Sequence, residues 1–204
     1  MDVRVKSAKP KKWKGEQPYL NLDAVYNVVH YILRGAEELP ISHRLYGSEG
    51  IMDTATPDSI INEMMHTKKV FGHIDGCQCK HLVLIFEGMP NLPRRKIRRK
   101  IERTVGYWKK KYQLFWGVHC APTKIEGRFN WHVHLMLNNV DMMTGNRLKI
   151  TNKVKRDFEK HIMKIWKEVD CIEADVGCKS IEAEAGIAMN TVFDYYDADL
   201  FDFS

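Results

Sequence analysis

Residues 131–137 read WHVHLML, in which bulky apolar residues alternate with His132 and His134. Successive side chains of a β-strand point to opposite faces, so the odd-numbered apolar residues face a core and the two histidines project together from the other face, roughly 7 Å apart. His119 lies near the end of a second apolar segment, residues 114–120. If the two segments pair antiparallel through the loop between them, all three histidines lie on one face of a sheet.

Three imidazoles on adjacent strands can hold a divalent cation and leave coordination positions open for water or a ligand oxygen. Because neutral imidazoles add no charge, the ion keeps its full positive charge, which suits the stabilisation of an oxyanion or a phosphate. By ligand type, the set favours zinc, nickel or manganese over magnesium. The competing interpretation is a group of solvated surface histidines, because the His-x-His pattern is common by chance.

Hydrophobic periodicity over the rest of the chain predicts the order helix, helix, strand, helix, strand, strand, helix. The helices are expected at about 23–34, at about 58–69, from 94 onward and at about 152–169, and the strands at about 81–87, 114–120 and 131–138. No crossover helix separates the last two strands, which favours antiparallel pairing. The prediction is an α+β fold in which helices pack on one face of a small antiparallel sheet.

The first of these helices carries two tyrosines for which the helical periodicity predicts different environments. An apolar stripe runs through Leu22 and Val29, with Tyr26 at its edge. Tyr31 lies nine residues after Leu22, about 180° around the helix. We therefore expect Tyr31 to face outward beside Arg34 and Tyr26 to pack in the core, with Gly35 ending the helix.

The formal net charge of the 204-residue chain is +6, but it is unevenly distributed. Residues 170–204 hold nine acidic residues and one lysine, so residues 1–169 carry +14. A body this basic indicates a polyanionic partner. Residues 94–111 hold ten cations and one acid, with two aromatic residues among them, which favours a surface that follows phosphates over an ordinary solvated helix exterior. The ten cations are Arg94, Arg95, Lys96, Arg98, Arg99, Lys100, Arg103, Lys109, Lys110 and Lys111.

Composition also divides the chain into segments. We expect a basic N-terminal arm at 1–19, a main domain at 20–170 and an acidic C-terminal tail or extension at 171–204. The tail either packs as an amphipathic end or shields the basic surface. No run of 18 apolar residues exists, so no membrane span is expected.

Five cysteines without a regular framework suit reduced thiols in the cytoplasm. Two of them, Cys77 and Cys79, lie between His73 and His81, and four such side chains could hold zinc. The Cys-x-Cys spacing is not the usual one for a zinc site, which makes this the weaker interpretation.

Several segments together resemble the relaxase/mobilisation nuclease family, a group of His-hydrophobic-His (HUH) endonucleases. Those similar to its metal-site motif are 117–119 (GVH), 130–138 (NWHVHLMLN) and 144–148 (TGNRL). Segment 80–86 (KHLVLIF) resembles the family's strand before the long helix, and 27–34 (NVVHYILR) is similar to its N-terminal tyrosine motif. The resemblance covers residues 20–170 and implies a ferredoxin-like, HUH-type sandwich.

This resemblance implies a DNA relaxase that nicks one strand at a transfer origin, for mobilisation of a plasmid or a conjugative element. Tyr31 would be the nucleophile, with Tyr26 as the alternative, and the product would be a 5′-phosphotyrosyl enzyme with a free 3′-OH. The metal ligands would be His119, His132 and His134. Magnesium or manganese would serve in function, while zinc or nickel could be present after isolation.

The implied partners are single-stranded or supercoiled origin DNA and accessory relaxosome proteins, in the cytoplasm and away from the membrane. Arg34 joins the ten cations as an expected DNA contact, and Glu126 and Asn138 are expected to support the metal ligands from outside. One alternative is a rolling-circle replication initiator or transposase of the same superfamily, whose nucleophile would be Tyr195 or Tyr196, although no lysine follows them one helical turn later. The other is a non-catalytic basic DNA-binding module with a vestigial metal site.

Overall fold

The computed structural model describes residues 2–7, 9–10, 19–20, 23–37, 44–90, 93–122, 128–167 and 201–202. Within these residues there are four helices: α1 (Ala24–Glu37), α2 (Pro57–Val70), α3 (Arg94–Val105) and α4 (Asn152–Lys167). The strands are β1 (Asp2–Ser7), β2 (Lys9–Pro10), β3 (Tyr46–Glu49), β4 (Cys79–Pro90), β5 (Leu114–Pro122), β6 (Arg128–Asn138) and β7 (Phe201–Asp202). None of the described helices is long and apolar enough to cross a membrane.

Five strands form one antiparallel sheet in the order β1-β4-β6-β5-β3. The central strand β6 pairs with β4 on one side and with β5 on the other. In this register His132 lies opposite His119 on β5 and opposite Ile85 on β4. The expected antiparallel pairing of the two histidine-bearing strands is thus confirmed, and with it the α+β class.

Helices cover both faces of the sheet, which corrects the expectation of helices on one face. One core contains Leu84, Trp116 and Val133 of the sheet together with residues of α3 and α4, such as Ile101 and Phe158. Strand residues of the opposite parity belong to a second core with α1 and α2. Each fully buried side chain of this size contributes about 1.5–3 kcal/mol, so both layers stabilise the sheet.

The second core contains Phe115 and Met136 of the sheet, Val29 and Ile32 of α1, and Met64 of α2. Helix α2 begins at Pro57, within one residue of the expected start, where Thr56 caps it and accepts a hydrogen bond from the Ser59 amide at 3.1 Å. Helix α1 extends to Glu37 and passes through Gly35, so the expected end at Gly35 is wrong. The cause is the close packing of α1 on β5, which needs a small residue at this point.

Two edge strands were not expected from the sequence. Strand β1 lies in the expected basic arm and pairs with β4, while β3 lies in a stretch that reads as turns and pairs with β5. Each has one neighbour in this sheet and gains its order from a partner about 65–85 residues away along the chain, which local periodicity does not reveal. Of the expected acidic tail, only β7 is among the described residues, and it pairs with β2.

Candidate active site

The three histidines share the face of the sheet on which α1 packs. His119 and His132 are directly opposite each other on β5 and β6, and His134 lies opposite Gly117. The His119 and His134 ring centroids are 4.2 Å apart, and those of His132 and His134 are 6.4 Å apart. The structure therefore brings together the three side chains that strand alternation singled out.

A fourth histidine, His81 on β4, belongs to the same cluster. It is 2% exposed, and its Nε2 lies 3.0 Å from Nδ1 of His134. Its other ring nitrogen, Nδ1, lies 3.1 Å from the hydroxyl of Tyr19. This role was not predicted from the sequence, although the alternation of His81 with the core residues Leu82 and Leu84 was a signal for it, since it places His81 on the face opposite the α3–α4 core.

The residues of the weaker zinc interpretation do not converge. The Cys77 thiol donates to the Cys79 carbonyl at 3.2 Å, and Arg147 Nε donates to Nδ1 of His73 at 3.2 Å. His81 is bonded to His134 and Tyr19 instead. Among the described residues, these four included, no group of three or more His, Cys, Asp or Glu side chains is placed to hold a metal ion.

Tyr31 packs directly on the histidine cluster. Its ring centroid lies 5.4 Å from that of His119, 5.3 Å from that of His134 and 6.0 Å from that of His81. Tyr26, by contrast, is 49% exposed and contacts the His30 ring. The expected orientations of the two tyrosines are therefore wrong.

The reason for this error lies in the reference residue of the helical wheel. That wheel was centred on Leu22, which precedes the first residue of α1. The buried face of α1 is centred on Val25, Val29, Ile32 and Ala36, and Tyr31 lies at the side of this face, next to the histidines.

Two glycines allow α1 to approach β5 this closely. A Cβ atom at Gly35 would overlap the imidazole of His119, and one at Gly117 would lie 2.5 Å from Cγ2 of Ile32. In the same contact, Nε2 of His119 lies 3.1 Å from the Ile32 carbonyl oxygen. The absence of side chains at these two positions sets the distance between the helix that carries Tyr31 and the strand that carries His119.

We expect Gly35→Ala to destabilise the protein by about 1–3 kcal/mol, because the added methyl group must displace the His119 ring or the helix. Elsewhere in a helix the same change is normally stabilising by roughly 0.5–1 kcal/mol, so the expected sign is reversed. Thermal and urea unfolding measure the difference. Asn27→Ala, at an exposed position of the same helix, is the control, and a stabilised Gly35→Ala protein would contradict the tight contact.

Burial keeps the histidines uncharged near neutral pH. It lowers the pKa of His119 to about 4 and that of His81 to about 3, with the neighbouring histidines acting in the same direction. The pKa of His132 is lowered by burial, and that of His134 is lowered well below the usual value, mainly by burial. Each ring therefore retains one nitrogen lone pair, the form that binds a metal ion.

The chemistry of this donor set fits a divalent cation: His119, His132 and His134 are three neutral imidazoles on one face of the sheet. Within the part of the chain that the structure describes, however, no group of three His, Cys, Asp or Glu side chains has its donor atoms placed around a common point. The nitrogens are directed instead at protein partners, His119 Nε2 at the Ile32 carbonyl and His134 Nδ1 at His81.

Of the two residues expected to support the ligands from outside, Asn138 has a different role in the structure. Asn138, at the end of β6, is fully buried and donates from Nδ2 to the Met64 carbonyl at 3.0 Å and to Oε1 of Gln113 at 2.9 Å. It therefore ties β6 to α2. Glu126 lies outside the described residues.

Most of the basic residues of α3 are exposed, as expected, but they lie on the far side of the sheet from the histidines. Helix α3 packs in the core on one face of the sheet, and His119 and His134 project from the other face. Lys100 differs from the others, because it is 6% exposed and its Nζ donates to the Ile165 carbonyl at 3.2 Å. The exposed cations are Arg94, Arg95, Lys96, Arg98, Arg99 and Arg103 on the helix, Lys109, Lys110 and Lys111 after it, and Arg34 on α1.

Comparison with known proteins gives one family. A search of the curated proteins found no match, and a search of the solved structures found none either. The family model for the nuclease domain of MobA/VirD2-like relaxases matches residues 31–170, from Tyr31 through the histidine cluster to the end of α4. The chain therefore belongs to the MobA/VirD2-like relaxase family.

Proposed function

We propose that this chain is a DNA nickase that cuts one strand at a transfer origin by transesterification, with Tyr31 as the nucleophile. The observation that carries the proposal is the packing of the Tyr31 ring on His119 and His134, at centroid distances of 5.4 and 5.3 Å. A nucleophile and a cluster of neutral imidazoles then lie on one face of the sheet. Tyr31 is also the first residue of the family match, whereas Tyr26 precedes it.

In the proposed reaction, the Tyr31 oxygen attacks the scissile phosphorus and loses its proton. The bond between phosphorus and the 3′ oxygen breaks, the 3′ oxygen takes up a proton, and the 5′ phosphate remains on Tyr31. A phenol with a reference pKa near 10 is mostly protonated at neutral pH, so the phosphate needs charge stabilisation. A divalent cation held by His119, His132 and His134 would supply that stabilisation when bound.

The histidine residues contribute geometry as well. They are carried by β5 and β6, paired along their length, so their backbone positions are fixed relative to one another. Gly35 and Gly117 hold α1 against β5 and thereby fix Tyr31 relative to the histidines. Positioning of this kind accounts for a large share of catalysis in phosphoryl transfer. Because the phosphotyrosyl bond stores the energy of the broken phosphodiester, the same site can also rejoin ends.

Supercoiled plasmid that carries the cognate origin, incubated with protein and magnesium or manganese, tests this proposal. We expect open circles with protein attached covalently to the 5′ end of the cut strand. A plasmid without the origin is the control. Open circles without attached protein would point to a hydrolytic nuclease, and intact supercoils with retained DNA binding would point to a non-catalytic module.

One observation favours that second candidate, a DNA-binding module with a vestigial site. The ring nitrogens of His119 and His134 are directed at protein partners, an arrangement that also suits a purely structural histidine cluster. Titration of the protein with manganese or zinc separates the two functions. A working site binds one of these ions at a defined stoichiometry, and His132→Ala abolishes that binding. A vestigial site shows no such binding of either ion.

The exposed cations of α3 are proposed to bind DNA that flanks the cut strand. Because α3 lies behind the sheet, it cannot line the Tyr31 site, and a DNA segment on α3 must pass around the sheet edge. In this proposal the catalytic face binds the strand to be cut, and α3 binds a neighbouring segment of the same DNA. The DNA is a plasmid in the cytoplasm, and accessory proteins take part in the complex.

We expect the triple variant Arg95→Gln/Arg99→Gln/Arg103→Gln to bind long origin DNA more weakly, with the slope of log K against log salt reduced by about 3. Cleavage of a short single-stranded oligonucleotide should be unchanged. Binding at several salt concentrations and oligonucleotide cleavage are the measurements. The matched control replaces the same three residues with lysine, which retains the charge; equal weakening by both variants would argue against an electrostatic role.

A further inference from the structure

Tyr19, His81 and His134 form a buried hydrogen-bonded chain behind the proposed metal ligands. His81 Nδ1 lies 3.1 Å from the Tyr19 hydroxyl, and His81 Nε2 lies 3.0 Å from His134 Nδ1. His81 and His134 are 2% and 1% exposed. Both ring nitrogens of His81 are therefore engaged, and one nitrogen of His134 is engaged with it.

In the neutral form that binds a metal, each imidazole carries a single N–H, so the protons in this chain have two consistent orders. In the first order, the Tyr19 hydroxyl donates to His81 Nδ1, and His81 Nε2–H donates to His134 Nδ1. The remaining proton of His134 is then on Nε2. In the second order, His134 Nδ1–H donates to His81 Nε2, and His81 Nδ1–H donates to the Tyr19 oxygen.

Only the second order leaves a lone pair on Nε2 of His134. A histidine that binds a metal through one ring nitrogen commonly donates its other N–H to a neighbouring acceptor, which fixes both the tautomer and the ring orientation. Here that acceptor is another neutral imidazole, so its own proton needs an acceptor in turn, and the Tyr19 oxygen is at hydrogen-bonding distance from it.

We propose that His81 and Tyr19 are positioning residues that hold His134 in the form protonated at Nδ1, and so make Nε2 of His134 available to a divalent cation. The inference rests on the proposed function only in taking His134 as a ligand. It adds that the ligand set is tuned by the fourth histidine, His81, and that the tuning extends to Tyr19, whose hydroxyl is bonded to His81.

The test compares His81→Leu, His81→Gln and Tyr19→Phe with the full-length wild-type protein. Leucine removes the acceptor for His134 Nδ1–H. Glutamine can accept from His134 through its carbonyl oxygen and donate to Tyr19 through its amide, so it is the conservative replacement. Tyr19→Phe removes only the terminal acceptor. Leu82→Met, in the same strand but on its other face, is the matched control for disturbance of β4.

Two readouts are used, and neither requires DNA cleavage. Long-range ¹H–¹⁵N spectra of the histidine rings report which nitrogen of His134 carries the proton, in the metal-free protein and with zinc. Calorimetric titration with zinc reports affinity. We expect the Nδ1-protonated form in the wild type, its loss in His81→Leu with an affinity lower by roughly 10–100-fold, a smaller loss in Tyr19→Phe, and recovery in His81→Gln.

A His134 ring protonated at Nε2 in both states of the wild type, or an unchanged zinc affinity in His81→Leu, would overturn the inference. If His81→Leu does not fold, the spectra of His81→Gln and Tyr19→Phe decide it, because Tyr19→Phe must then still shift the His134 proton. Failure of the proposed function is recognised separately. In that case the order of protons along the Tyr19–His81–His134 chain and the zinc affinity behave as described, but no covalent DNA adduct forms.

Discussion

Replacing Tyr31 with phenylalanine is expected to abolish the covalent DNA adduct and to reduce nicking by roughly 10³-fold or more, since the nucleophilic oxygen is lost. Phenylalanine retains the ring that packs on His119 and His134, so the cluster and the fold should persist. The measurement is the yield of protein-linked open circles from supercoiled origin DNA, together with DNA binding by gel shift, which should stay near the wild-type level.

Tyr26→Phe is the matched control, since it removes a hydroxyl from the same helix at a side chain that is 49% exposed. We expect normal nicking from this variant. If Tyr26→Phe loses the adduct and Tyr31→Phe keeps it, the nucleophile has been assigned to the wrong tyrosine. Wild-type activity in both variants would show that neither tyrosine of α1 is the nucleophile.

Replacing His132 with alanine is expected to lower nicking by about 10²–10³-fold through loss of metal binding, with little change in thermal stability. His132 is only partly buried, so we expect its truncation to leave no large enclosed cavity. A raised concentration of manganese should restore part of the activity, because the two remaining ligands still bind the ion weakly.

This partial recovery distinguishes a ligand from a structural histidine. His66→Ala, at an exposed position of α2, controls for removal of an imidazole from the surface. Full activity of His132→Ala at limiting manganese would exclude His132 from the metal site, and inactivity that no manganese concentration relieves would indicate a role in shape alone.

The alternation of side chains along β6 was enough to place the histidines, because His132 and His134 follow a period of two with large apolar residues between them. That pattern is local, and it forces one face to be a core. The joining of His119 to them also followed from sequence, since a short connection between two strands favours antiparallel pairing.

Other residues depended on contacts that no local pattern contains. His81 joins the cluster through the register between β4 and β6, which brings together residues 53 positions apart. Lys100 is buried because α4 covers it, as its bond to the Ile165 carbonyl shows; a wheel of α3 alone places it among the exposed cations. Tyr31 was misplaced because the wheel was centred on Leu22, which precedes α1, whereas the buried face of the helix is centred on Val25, Val29, Ile32 and Ala36.

The central position of β6 has a consequence for the relative rigidity of the elements that form the proposed site. A strand bonded on both sides opens only at high free energy, so two of the three proposed ligands, His132 and His134, are borne by a rigid part of the described sheet. Helix α1, which carries Tyr31, is attached to the sheet by side-chain packing. We therefore expect amide hydrogens to exchange faster along α1 than along β6, which hydrogen-exchange measurements would show.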